Sequence, residues 1–137
     1  MKVSKREVVV TGLGVVSPID CGSGVDSFWE GICQGRNAIK PLSLIPVGSH
    51  YCRFAGEAKG FERFLERRYR RSSSRCLNLF RHALTQAVED ARCASLIHRA
   101  GISFGSILGE IDLGQKYIEA CVQKRRSCVA LLQGYPL

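Results

Sequence analysis

The 137-residue chain has a single tryptophan, a single methionine, four prolines and no long apolar run. Its uninterrupted stretches, such as Val8–Val10, fall far short of the roughly 20 residues that cross a bilayer. Lys2, Lys5 and Arg6 open the chain without the apolar segment a secretory signal needs, because Thr11, Gly12 and Gly14 interrupt it. These absences predict a soluble, cytoplasmic protein with no membrane partner. No CxxC pair occurs, and the seven cysteines are an odd number, scattered from Cys21 to Cys128, which predicts reduced thiols and not a disulfide framework. His50, His82 and His98 lie at no metal-ligand spacing from them, so no metal and no cofactor is expected. Acidic residues are in the minority, 12 against 20 Lys and Arg, for a net charge of +8. Such an excess concerns partners and solubility, not fold.

Much of that excess is local, because Arg63, Arg67, Arg68, Arg70, Arg71 and Arg75 fall within one short stretch. Such a cluster reads as a solvated helix face and turn, or as a landing site for an acidic partner. Nucleic acid is a third reading but not the expected partner, since only Tyr69 offers stacking there and no known binding motif accompanies it.

What is present has an alternating α/β order. Glu7–Thr11 is a β-branched run bounded by turn residues, and predicts a central parallel strand buried on both faces. Val25, Phe28, Trp29, Ile32 and Cys33 recur at helical spacing, with Ser23 as N-cap and Gly35 just past the end. Tyr51–Ala58 reads as extended, and Phe61, Phe64 and Leu65 mark a short helix. A longer helix follows, capped by Ser73 or Ser74, on which Cys76, Phe80, Ala83, Leu84, Ala87, Val88 and Ala91 form one stripe opposed by Arg81, Gln86, Glu89 and Asp90. Ile102–Leu108 predicts a second buried strand, and Leu113, Tyr117, Ala120 and Cys121 a last helix to about Lys124. This alternation favours a layered α/β domain.

Gly12 and Gly14 follow a strand as in a dinucleotide fingerprint. Ser17 stands where the third glycine belongs, and Pro18 blocks a helix from starting there. The alternative reading is steric: the glycines let the end of the strand press against a neighbouring element.

Val8–Pro18, VVVTGLGVVSP, resembles the opening of the condensing enzymes of fatty acid and polyketide synthesis, the β-ketoacyl-acyl carrier protein synthases. Further matches follow in order: Phe28, Trp29 and Glu30 with Gly35 and Arg36; Phe54 to Glu57; Ser74, Arg75 and Cys76 with Ala87, Glu89, Asp90 and Ala91; and Gly101 to Gly109. The resemblance implies the incomplete N-terminal half of a thiolase-like layered α/β fold, over residues 1–124, followed by an unmatched tail at 125–137. It also implies an acyltransferase that condenses an acyl thioester with malonyl-carrier.

The implied nucleophile is a cysteine in a T-A-C-[AS]-S-G elbow, assisted by two later histidines, and neither motif occurs in this sequence. Cys93 and Cys121 imitate the elbow only superficially and are expected to be packing or surface residues. No catalytic residue is therefore assigned, and the chain is expected to be inactive alone, as a truncated or frameshifted product or one complemented by a second synthase polypeptide. The resemblance places Arg68 and Arg71 on the surface that docks acyl carrier protein, with Ser72 replacing a third basic residue. A non-catalytic carrier-docking subunit is the alternative function. A central strand without its neighbours predicts an apolar face larger than soluble monomers tolerate, and with it aggregation or dependence on a partner.

Overall fold

The computed structural model describes residues 7–48, 51–66, 74–107, 109 and 111–123. In chain order these carry helix α1 (Val25–Cys33), strands β1 (Ile39–Pro41) and β2 (Phe54–Gly56), a 3-10 turn over Phe61–Phe64, helix α2 (Arg75–Asp90), a 3-10 turn over Ala94–Arg99 and helix α3 (Ile111–Val122).

The helices form where apolar periodicity and end signals coincide. At the start of α1 the N-cap is Gly24, not Ser23: its φ of 108° lies in territory that glycine enters freely. The far end matches expectation, with Gly35 at φ 64° and two closing bonds, Gly35 N–H to the Ile32 carbonyl and Arg36 N–H to the Gly31 carbonyl, both 2.9 Å. That pair of bonds is a Schellman closure. Ser74 caps α2 by accepting the Leu77 amide at 3.0 Å.

Strand β1 pairs antiparallel with β2, Ile39 opposite Gly56 and Pro41 opposite Phe54. β2 answers the extended segment expected at Tyr51–Ala58, whereas β1 carries no period-2 signal. The two predicted buried strands differ from expectation. Among the described residues, neither Glu7–Thr11 nor Ile102–Ile107 joins a ladder, and Val8 and Val10 are 95% and 80% exposed. A parallel strand needs a partner on each edge and a cover on each face. The described residues supply one helix, on one face.

That helix is α2, and both extended segments lie on it in the same direction. Gly12 sits over Ala87 and Ala91, and Gly14 over Ala83 and Ala87; Phe104 meets the Phe80 ring at 4.5 Å and Ser106 the Cys76 thiol at 3.9 Å. Both segments therefore run from the C-terminal towards the N-terminal end of α2. The expected stripe on this helix is only half-buried, and its most buried residues are instead the polar Asn78 and His82. Several separate surfaces of α2 are occupied, so no single apolar stripe organises the packing. Among the described residues the apolar core consists of Phe61, Leu65 and Ala120, and no helix is long and apolar enough to cross a membrane.

Candidate functional site

The best-organised region joins residues 12–24 to α2. Any Cβ on Gly12 would overlap the Ala87 carbonyl oxygen, and one on Gly14 the Ala83 carbonyl. The steric reading of these glycines holds: they bring backbone against helix with no side chain between. Two helix side chains then take up the strand amides, Leu13 N–H donating to Asp90 Oδ2 at 2.9 Å and Val15 N–H to Gln86 Oε1 at 3.0 Å.

The chain next turns through a loop ordered by one carboxylate. Asp20, 4% exposed, accepts the Ser17 amide at 2.7 Å on Oδ1 and the Gly22 amide at 2.9 Å on Oδ2, with the Gly24 amide at 3.3 Å. This holds Cys21 at φ 51°, and delivers the Gly22 carbonyl to α2. There it meets His82 Nε2 at 2.7 Å and accepts from Gln86 Nε2 at 3.2 Å. The His82 ring stacks on Phe64, centroids 5.0 Å apart and planes within 5°. Gln86 thus serves two neighbours at once, through Oε1 and Nε2. Asp20, His82 and Gln86 do not stand out as a group in the sequence; the one local signal is the spacing of Ser17 to Asp20, two polar side chains three residues apart beside a glycine-rich turn, and it concerns the loop and not its helix partners.

Cys21, in the loop itself, is half-buried, its thiol donating to the Pro18 carbonyl at 3.7 Å. Cys93 is half-buried in the turn after α2, its thiol 4.0 Å from the Val88 carbonyl, and Cys121 is exposed on α3. His82 is committed to Gly22 and His98 is exposed. Among the described residues no group of His, Cys, Asp and Glu could hold a metal ion.

Arg68 and Arg71, the expected docking residues, lie outside the described residues, as do Arg67 and Arg70. The two ends of that arginine-bearing segment are described. Arg75 pairs with Glu62, Nη1 to Oε1 at 2.8 Å, also donates to the Ala58 carbonyl, and lies over the Phe61 ring at 5.1 Å. Arg63 lies 4.7 Å from the centroid of Phe64.

Residues 5–131 match the family described as "Beta-ketoacyl synthase, N-terminal domain". Similar curated proteins include the 3-oxoacyl-[acyl-carrier-protein] synthase 2 of Synechocystis sp., 38% identical over 90 residues, or 64% of this chain and 21% of the relative. The synthase 2 of Vibrio cholerae is 32% identical over 128 residues, 88% of this chain and 30% of the relative. The chloroplastic synthase I of Hordeum vulgare is 25% identical over 130 residues, 88% of this chain and 28% of the relative. The chain therefore spans less than a third of the length of these relatives.

Proposed function

Because the chain belongs to the β-ketoacyl synthase family through that family's N-terminal domain, we propose that it is the framework portion of a 3-oxoacyl-[acyl-carrier-protein] synthase. In this reading the assembled enzyme condenses an acyl thioester with malonyl-carrier. The acyl-accepting cysteine and the two histidines come from sequence beyond these residues, in the same or in another polypeptide. A single observation carries the assignment of a framework role: Gly12 to Val15 is seated on α2 by steric fit and by Gln86 and Asp90, while Val8–Val10 just before it stands exposed and joins no ladder among the described residues. A β-branched run anchored on a helix at one end suits a segment that further strands join.

Arg68 and Arg71 dock the acidic acyl carrier protein in the same reading. The motive is the density of arginine between Arg63 and Arg75, where surface charges act mainly on encounter rate.

The test is condensation measured with the purified chain alone, and again after mixing with a polypeptide that supplies the remaining two-thirds of a relative. Product is expected only from the mixture, and Cys93→Ala and Cys121→Ala are expected to leave it unchanged. Turnover by the chain alone that either substitution abolishes would overturn the reading.

A further inference from the structure

A cavity of about 280 Å³ opens between the turn that holds Phe64 and helix α2, and His82 forms part of its wall. His82 is 7% exposed, yet the hydrogen-bond contacts of its ring among the described residues all involve Nε2. The proton on that nitrogen follows from its neighbours. Gln86 Oε1 accepts the Val15 amide, so Gln86 turns its amide nitrogen to the Gly22 carbonyl. That carbonyl can only accept, and Nε2 at 2.7 Å from it must therefore donate. In the neutral ring Nδ1 is then a bare lone pair.

This lone pair faces the cavity. A Cβ on Gly22 would lie 3.0 Å from both Cδ2 and Nε2, so that edge of the ring is turned to Gly22, and Nδ1 is the atom across the ring from it. His82 lines the cavity and Gly22 does not. No buried side-chain nitrogen or oxygen among the described residues lacks a partner, so Nδ1 is not sealed off but reaches open space. Phe64, Leu65 and Leu84 supply apolar wall, and the His82 ring covers one face of Phe64. The two charged side chains of the lining, Glu66 and Arg81, balance one another in sign.

We infer that this cavity is a binding site for a small neutral aromatic molecule of the phenol class, whose hydroxyl donates to His82 Nδ1. An apolar cavity of about 150 Å³ takes benzene, so the space here holds one ring with its substituent. Apolar walls around one well-placed polar atom are the usual make-up of a small-molecule site, the walls giving affinity and the polar atom orientation. An anion finds no net charge in the lining, and a lone pair cannot receive a second acceptor. The inference is independent of the condensation and carrier-docking readings.

The test titrates phenol into the full chain in slightly alkaline buffer, with toluene and benzoate beside it, while nitrogen NMR follows both ring nitrogens of His82. Phenol is expected to bind with a Kd on the order of 1 mM, as suits so few non-hydrogen atoms. Toluene and benzoate should bind about tenfold more weakly for want of the donated bond. On binding, the Nδ1 resonance should move and the Nε2 resonance should stay. His82→Gln sets an amide donor where Nε2 stood and removes Nδ1, so it should keep the bond to Gly22 and lose about tenfold in phenol affinity. Should that variant not fold, the two nitrogen resonances of the unsubstituted chain decide alone. Phenol binding no tighter than toluene or benzoate, an unmoved Nδ1 resonance, or undiminished affinity in folded His82→Gln overturns the inference.

Discussion

The amide of Val15 donates to Gln86 Oε1 at 3.0 Å, and one turn along the same helix Asp90 takes the amide of Leu13 in the same way at 2.9 Å. Two residues of extended chain rise about 6.6 Å and four residues of helix about 6.0 Å. The two periods nearly coincide, so alternate strand amides meet side chains spaced i, i+4. Gly12 and Gly14 repeat the match against Ala87 and Ala83. One strand face is thereby both glycine-smooth and hydrogen-bonded.

Gln86→Leu is expected to destabilise the domain by about 1–3 kcal/mol, the cost of leaving part-buried polar groups without their partner. Two backbone groups lose out together, the Val15 amide and the Gly22 carbonyl, although His82 still reaches the latter. Chemical denaturation of the variant against the unsubstituted chain reads this. A midpoint unchanged by the substitution would show that Gln86 is dispensable to the clasp.

Gly14→Ala should be at least as harmful, because the added methyl meets the Ala83 carbonyl, which belongs to the helix backbone and has no rotamer to give way. Overpacking of this kind costs about 1–3 kcal/mol. Gly35→Ala provides the contrast, as open space surrounds that position and only its φ of 64° resists. Thermal melts of the two variants should place Gly14→Ala lower.

Glu57 is expected to govern acid sensitivity of the β1–β2 region. Its carboxyl is lowered from 4.5 to about 2, first by the Lys59 ammonium at 2.6 Å and then by the amides of Ser43 and Leu44. A depressed carboxylate contributes stability that is complete above the unfolded value and disappears as pH falls through the folded one. The loss should therefore fall between about pH 4.5 and pH 2. Following Ser43 and Leu44 amide shifts through that window, with Glu57→Gln as control, checks it; a variant that keeps the acid transition would assign it to another group.

Reversal of charge at the proposed docking positions, Arg68→Glu with Arg71→Glu, should weaken binding of acidic carrier protein more than the same reversal at Arg125 and Arg126, and should flatten its salt dependence. Isothermal titration at two salt concentrations separates the pairs. Equal affinities would leave the cluster as a solvated face.

The local signals in this sequence determined the pieces. Gly35 after an amphipathic stretch dictates a Schellman end, Ser74 ahead of an apolar stripe dictates a cap, and glycines at 12 and 14 announce a close approach, since each depends on a few neighbouring residues and their dihedral limits. Tertiary structure alone decided which polar side chains become internal. Asp20, His82 and Gln86 look like ordinary surface residues in a pattern of hydrophobicity, and only the convergence of residues 12–24 on α2 turns them into a shared hydrogen-bonded clasp. The same distinction explains the unpaired valines. Their β-branched run encodes a strand, but a ladder is a property of two segments, and the described residues bring no second edge to Val8–Val10.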